Sequence, residues 1–313
     1  MTLTQYSYII AIDNYKSFAS AANHCFVTQP TLSMQIKKLE DELGTVIFDR
    51  SKQPVEVTEI GKKIIEQARV VLKEHERILD LIDQEKSELS GKFKIGIIPT
   101  IAPYLIPLFL LNFINKYPKV ELVFDELQTD QIIHKLLKDE LDTAIIASPT
   151  FRKELIEEPL YYEPFVAYVS SNHKFYQSKK VDSKMLNVED VWLLKEGHCL
   201  RDHVIQVCNS LERKNTGSLV QLSFEGGTLD TLMKLVDNNF GMTLLPYLAT
   251  IEINKTEKMK YIREFKTPIP KRVVNIIYHR AHLKKQFISA LESEVLSIIP
   301  KTMLKKENSI IVS

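Results

Sequence analysis

The sequence predicts an α/β chain preceded by an all-α amino-terminal part, and three observations predict it. Short amphipathic helical patterns fill residues 1–58, one heptad-patterned stretch fills 59–90, and strands then alternate with helices through 91–313. Alternation of that kind implies sheets of parallel strands covered by helices. At 313 residues the chain has room for two or three domains and a large buried core.

In the amino-terminal part, Tyr6, Ile9, Ile10 and Ile12 give one apolar face, and residues 18–25 form a small, alanine-rich second helix. Thr28 is placed to cap a third helix, with Pro30 in its first turn, where a missing N–H does no harm. Leu32, Ile36, Leu39 and Leu43 form its buried stripe. The other face offers Pro30, Thr31, Ser33, Met34 and Lys37, with Gln29 at its amino end. A small helix, a short turn and a capped helix make the helix-turn-helix pattern, whose second helix enters the major groove amino end first. In that reading Gln29 meets a base edge, while Ser33, Lys37 and the helix amino end hold phosphate. Residues 48–58 follow as a hairpin wing carrying Arg50 and Lys52. Lys16, Lys37, Lys38, Arg50 and Lys52 are nevertheless outnumbered by Asp13, Glu40, Asp41, Glu42, Asp49 and Glu56. The segment is not net basic, so an ordinary small helical domain is the competing reading.

Thr58 then caps a long helix, with Glu59 at its positive end and Glu88 near its close. Ile64, Ala68, Val71, His75, Ile78 and Ile82 alternate spacings of four and three, the seam of a coiled coil over about three heptads. The length of the helix favours pairing with a second copy over packing on its own domain. His75 reads as a packing or register residue.

Beyond Ser90-Gly91, strands at 94–98, 120–124 and 143–146 alternate with helices at 103–117 and 130–138. A second set starts at 165–169 and continues through 191–194, 199–208, 219–224, 228–236 and 242–245. A last strand covers 272–278 and a last helix 282–297. The tail from Lys301 is polar and reads as frayed, unless Ile310-Ile311-Val312 adds a strand. Ligands of such sheets sit beyond the carboxyl ends of strands, where Thr100 and Thr129 stand either as pocket residues or as plain helix caps. No Gly-rich phosphate loop, metal-ligand cluster or serine-nucleophile motif appears, so neither cofactor nor metal is expected.

Residues 197–208 hold two of the three cysteines, Cys199 and Cys208, with His198 before the first and Arg201 two residues after it. Neighbouring positive charge favours the thiolate, the nucleophilic form of cysteine. If the stretch is helical, nine steps of rise separate the two alpha carbons by roughly 13 Å. A disulfide needs them within about 7 Å. Joining the thiols would therefore unwind the segment. The competing reading for Cys208 is an ordinary core cysteine, whereas Gly197, His198 and Arg201 make a poor core neighbourhood for Cys199. An odd number of cysteines behind a start without an export signal fits reduced thiols in the cytoplasm. A net charge of +1 announces neither nucleic acid nor membrane, and no apolar run reaches about 18 residues.

Phe18-Ala19-Ser20-Ala21-Ala22, Thr28-Gln29-Pro30-Thr31-Leu32-Ser33, Lys38-Leu39-Glu40-Asp41-Glu42-Leu43-Gly44 and Thr58-Glu59-Ile60-Gly61 together resemble the amino-terminal signature of LysR-type transcriptional regulators. Ile95-Gly96-Ile97-Ile98-Pro99-Thr100, Gly197-His198-Cys199-Leu200-Arg201-Asp202 with Cys208, and Gly241-Met242-Thr243-Leu244-Leu245-Pro246 resemble the hydrogen-peroxide-sensing branch of that family. The resemblance implies a winged helix-turn-helix over 1–58 and a linker and dimerisation helix over 59–90. Over 91–313 it implies a regulatory domain of two Rossmann-like, periplasmic-binding-protein-like subdomains, 91–162 with 268–300, and 163–267. It implies that Cys199 is oxidised to a sulfenic acid, which Cys208 resolves into an intramolecular disulfide. Thr100, Thr129 and His198 would orient peroxide, and Arg201 and Arg272 would favour the thiolate; a surface salt bridge is the alternative role of Arg272. The implied assembly is a homodimer or homotetramer on double-stranded promoter DNA, not an enzyme. Its implied partners are RNA polymerase and a thioredoxin or glutaredoxin that resets it. Met34 and Gln53-Pro54 stand where many members carry basic residues, and Cys25 reads as a core thiol. The rival readings are a LysR-type regulator of a small metabolite, a thiol peroxidase, and a bare adaptor that dimerises through the long helix.

Overall fold

Side-chain caps define the amino-terminal helices. Thr2 accepts from the Gln5 N–H at the head of α1 (Leu3–Tyr15), Ser17 from Ser20 at α2 (Phe18–His24), and Thr28 from Thr31 at α3 (Gln29–Leu43). Gly44, at φ +65°, ends α3 in the left-handed conformation that glycine adopts without strain. Ile9, Ile12, Ala21, Leu32, Ile36 and Leu39 interlock as a core with no exposed surface. β1 (Phe48–Asp49) and β2 (Glu56–Val57) pair antiparallel as the wing.

The long helix α4 (Glu59–Gln84) differs in part from its expected use. Ala68, on the expected seam, is buried with Ile65 in this same core, and Arg69 binds Asp13 of α1 at 2.9 Å. The first half of the seam therefore serves its own domain, while Val70 and Ile78 stay exposed. A computed structural model of the chain describes residues 1–84, 89–208, 227–280 and 284–313. The side chain of Ile82 and the expected helix end at Glu88 lie outside what is described, as do the expected strand at 219–224 and the expected helix start at 282. Met1–Ser87 and Glu88–Ser313 are separate compact units.

The second unit begins as the alternation predicts, with β3 (Gly91–Ile97), α5 (Ala102–Lys116), β4 (Val120–Glu126), α6 (Thr129–Leu137) and β5 (Thr143–Ile146). β3 runs parallel between β4 and β5. The next strand, β6 (Leu155–Val169), is longer than expected. It is followed by β7 (Lys180–Val181), β8 (Val191–Trp192), α7 (Cys199–Val207), α8 (Leu229–Asp237) and β9 (Met242–Pro246). α9 (Lys255–Tyr261), β10 (Ile262–Phe265), β11 (Ile269–His279), α10 (Lys285–Ile298) and β12 (Ser309–Val312) complete the chain.

The sheet is mixed, which corrects the expectation of parallel strands throughout. β6 runs antiparallel to β11 along its first part, then antiparallel to β9 and β10 along its second. Antiparallel neighbours need no crossover helix, so two long strands are shared by both halves of the unit. Each half has its own core, one under α5 and α10 around Phe93, Ile97 and Phe109, the other around Phe165, Leu200, Val204 and Leu244. The tail is not frayed: β12 lies parallel to β11, and Val312 is buried in the second core. No helix among the described residues is long and apolar enough to cross a membrane.

Candidate functional site

α7 starts at Cys199, directly after a turn that only glycine fits well. Gly197 has φ +90°, and a Cβ there would stand 2.9 Å from Oε1 of Gln128. His198 is the helix N-cap and gives no side-chain cap. Its buried ring is kept neutral by desolvation and by the charge of Lys195, both of which lower its pKa. Thr100 follows β3 and Thr129 opens α6 after β4, so both stand at the carboxyl ends of parallel strands. With Ile98, Pro99, Gln128 and Gly197, the residues Thr100, Thr129, His198 and Cys199 line a cavity of about 10 Å³. That is room for about one water-sized molecule. A cleft of about 410 Å³ begins beside it, sharing Thr100, Gln128 and His198 and adding Tyr104, Lys195 and Asp230.

Arg272 lies behind Thr100 and is 1% exposed, so it is not a surface salt bridge. Its Nε and Nη2 donate to Oε2 of Glu163 at 3.0 and 2.8 Å. Nη1 donates to Thr100 Oγ1 at 3.0 Å and Nη2 to the Thr100 carbonyl at 3.1 Å. The other Glu163 oxygen accepts from the Leu248 N–H at 2.8 Å. A buried charge pair with its remaining lone pairs occupied is the arrangement in which such a pair persists.

Burial pushes the Cys199 thiol above its ordinary pKa, against the opposing pull of the Arg272 charge and the Ser148 hydroxyl. Flanking charge alone had suggested a favoured thiolate; desolvation, which sequence spacing does not register, reverses the net direction. Arg201 is not among the cavity residues, and its Nη1 donates to the Leu194 carbonyl at 3.1 Å. Cys208 caps the far end of α7 inside the second core, where burial and the charge of Asp190 push its thiol up to about 12. All three cysteines are free of disulfides, and helical rise keeps the alpha carbons of Cys199 and Cys208 roughly 13 Å apart.

Four residues of this neighbourhood were not anticipated. Glu163 left a signal, a carboxylate inside the aromatic run Tyr161-Tyr162-Glu163-Pro164-Phe165. Ser148 and Gln128 left none. His203, one turn beyond Cys199, is buried with neither ring nitrogen hydrogen-bonded, and its ring meets Phe165 edge-on. Burial and the charge of Arg272 bring its pKa down to about 3. Among the described residues no group of His, Cys, Asp and Glu is placed to hold a metal.

In the amino-terminal unit, Gln29, Pro30, Thr31, Met34 and Lys37 are exposed together at the start of α3. Ser33 and the wing cations already have partners. Arg50 donates to Ser33 Oγ at 3.2 Å and to Glu40 Oε2 at 2.9 Å, with its guanidinium 4.9 Å over the Phe18 ring. Lys52 pairs with Glu56 at 2.6 Å.

Residues 3–62 match the bacterial regulatory helix-turn-helix family of lysR type, and residues 86–295 match the LysR substrate binding domain. The chain is 33% identical over 303 residues to the hydrogen peroxide-inducible genes activator of Haemophilus influenzae, covering 96% of this chain and 99% of that protein. The full-length OxyR C199D structure from Pseudomonas aeruginosa superposes with a TM-score of 0.75 at 33% identity, covering 96% of this chain and 99% of that one. A hydrogen-peroxide-bound OxyR mutant from Corynebacterium glutamicum matches with a TM-score of 0.62 at 27% identity, covering 95% of this chain and 92% of that one.

Proposed function

This chain belongs to the LysR family of bacterial transcriptional regulators, and we propose that it senses hydrogen peroxide through a Cys199–Cys208 disulfide switch. The observation that carries the proposal is the small cavity that joins Cys199 to Thr100, Thr129 and His198, backed by the buried Arg272–Glu163 pair. Peroxide bound there meets the sulfur directly. Cys199 gives up its proton, its sulfur attacks one peroxide oxygen, the O–O bond breaks, and the departing hydroxide takes the proton to leave as water. The product is a sulfenic acid. Cys208 then attacks that sulfur, a second water leaves, and the disulfide forms. Cys208 is inert in its buried place because its thiol stays protonated. It reacts once α7 unwinds, and that unwinding is the conformational signal.

The output is on DNA. α3 enters the major groove with Gln29, Pro30, Thr31 and Met34 at the bases and Lys37 at phosphate, while Ser33, Arg50 and Lys52 exchange internal partners for phosphate contacts. Residues 1–58 form the DNA-binding domain, 59–90 the dimerisation helix, and 91–162 with 268–300 and 163–267 the two regulatory subdomains of a homotetramer. Acting in the cytoplasm, it engages RNA polymerase at promoters and is reset by thioredoxin or glutaredoxin.

The cleft of about 410 Å³ beside the cavity supports a second reading, in which a small metabolite is the effector and the thiols are incidental. Peroxide-dependent footprinting with parallel mass mapping of thiols separates the two. Less than one equivalent of peroxide should yield the Cys199–Cys208 disulfide and change the footprint. Cys199→Ser should abolish both changes, and Cys208→Ser should stop at the sulfenic acid. A footprint that answers to a metabolite while peroxide leaves both thiols reduced refutes the sensor reading.

A further inference from the structure

Gln206 projects from the exposed side of α7, two residues before Cys208. Its Nε2 donates to the Ser313 backbone oxygen at 2.7 Å, and the Ser313 N–H donates back to its Oε1 at 3.0 Å. The side-chain amide thus pairs with the backbone at the end of β12 as a neighbouring strand would. β12 is anchored from its other side as well. It runs parallel to β11 with Ser309 opposite Ile269 and Val312 opposite Arg272. Val312 is buried in the core that also holds Leu200, Val204 and Val207 of α7. Lys271 extends its ammonium to the Lys305 carbonyl at 2.8 Å, fixing the approach to the strand. α7 is therefore fastened, through one amide and one apolar plug, to β12, the neighbour of the strand that carries Arg272.

We propose that Gln206 is a positioning residue for the redox pair: it latches β12 onto α7 in the reduced protein and sets how readily Cys208 reaches Cys199. The proposal rests on the disulfide reading above. Bringing two alpha carbons from roughly 13 Å to within about 7 Å takes the intervening residues out of the helix. Gln206 lies inside that stretch and moves with Cys208, so its pairing with Ser313 breaks and Val312 loses part of its surroundings. The tail is released as the disulfide closes. Oxidation of Cys199 to the sulfenic acid needs no such motion, because Cys199 sits at the other end of the helix. The latch therefore acts on the second step and spares the first.

The test uses the full-length chain with Gln206→Ala and, as a second variant, Gln206→Glu, which keeps an acceptor for the Ser313 N–H. Three quantities are read: the rate of Cys199 sulfenic acid formation in a Cys208→Ser background, the dithiol–disulfide equilibrium against glutathione, and hydrogen exchange of the α7 and β12 amides. Gln206→Ala should leave the first rate unchanged and shift the equilibrium toward the disulfide by about tenfold, the net worth of two hydrogen bonds. Gln206→Glu should shift the equilibrium at least as far as alanine does, because it sets an oxygen against the Ser313 oxygen. Exchange of β12 should rise in reduced Gln206→Ala and in the oxidised parent alike. An equilibrium shift below about twofold, or a matching change in the sulfenic acid rate, overturns the latch. If peroxide forms no disulfide in the parent, the sensor reading fails by itself. The latch is then decided in the reduced protein, where unchanged α7 and β12 exchange in Gln206→Ala refutes it.

Discussion

His203 gives the reduced state a dependence on pH that is worked out from its surroundings. The imidazole is buried on α7 with both nitrogens unpartnered, and desolvation with the Arg272 charge holds its pKa near about 3. When α7 opens, the ring reaches water and titrates near its ordinary value of about 6.5. The pKa of the closed helix is the depressed one, so the opened form binds the extra proton below about 6.5. The contribution to stability is complete above that value and is lost as pH falls toward 3. One pH unit below 6.5, the opened form gains a factor of about 11, or about 1.4 kcal/mol. Hydrogen exchange of the α7 amides in the reduced protein, corrected for intrinsic exchange chemistry, measures this directly. The opening constant should rise at least about tenfold between pH 7.5 and 5.5 in the parent and by much less in His203→Gln, where His198 at the N-cap, also lowered in pKa, remains. The same pH trend in both proteins would refute the assignment to His203.

Two further outcomes follow from the site and the DNA face. Replacing Arg272 together with Glu163, as Arg272→Met with Glu163→Gln, avoids leaving one buried charge alone, which costs about 3–5 kcal/mol. The double variant should titrate Cys199 at higher pH and oxidise more slowly, whereas Arg201→Ala, whose guanidinium serves the Leu194 carbonyl, should leave the thiol titration where it was. Lys37→Ala should weaken DNA binding about equally across sequences and lower the salt slope by about one unit, measured by titration at several ionic strengths.

What the sequence disclosed depended on whether the cause was local. The caps Thr2, Ser17 and Thr28 and the stripe Leu32, Ile36 and Leu39 act within a few residues, and of these Thr28 and the stripe were read directly from spacing. β3, α5, β4, α6 and β5 were placed from alternation for the same reason. The first part of β6 was hidden because Glu157, Glu158, Pro159, Glu163 and Pro164 interrupt the alternation that marks a strand. The parallel expectation failed on the same strand, since register between β6 and β11 links residues more than 100 apart. At the site, local pattern supplied Cys199 and His198, strand ends supplied Thr100 and Thr129, and the family resemblance supplied Arg272 and the pairing of Cys199 with Cys208. None of these supplied Glu163, and none registered that burial outweighs charge at Cys199.

That outcome changes what Arg272 does. Besides the pull of its charge on the Cys199 thiol, it reaches the cavity through Thr100, which accepts from its Nη1. A threonine hydroxyl has one proton to give. Because Thr100 Oγ1 accepts from Arg272, that proton is left for something other than the guanidinium, and the space beside it is the cavity it shares with Cys199 and the cleft that adjoins it. The site then holds a protonated thiol, a neutral imidazole and an oriented hydroxyl around a space of about 10 Å³. A protonated thiol beside so small a space should react slowly with bulky electrophiles and with metal ions, which need the thiolate. In the proposed reaction, a small oxidant that fits would accept the hydroxyl's hydrogen bond as its O–O bond breaks and charge collects on the leaving oxygen. On the proposed function, burial that raises the resting pKa would favour selectivity, and the buried pair behind Thr100 would leave the hydroxyl proton for the oxygen on which charge develops.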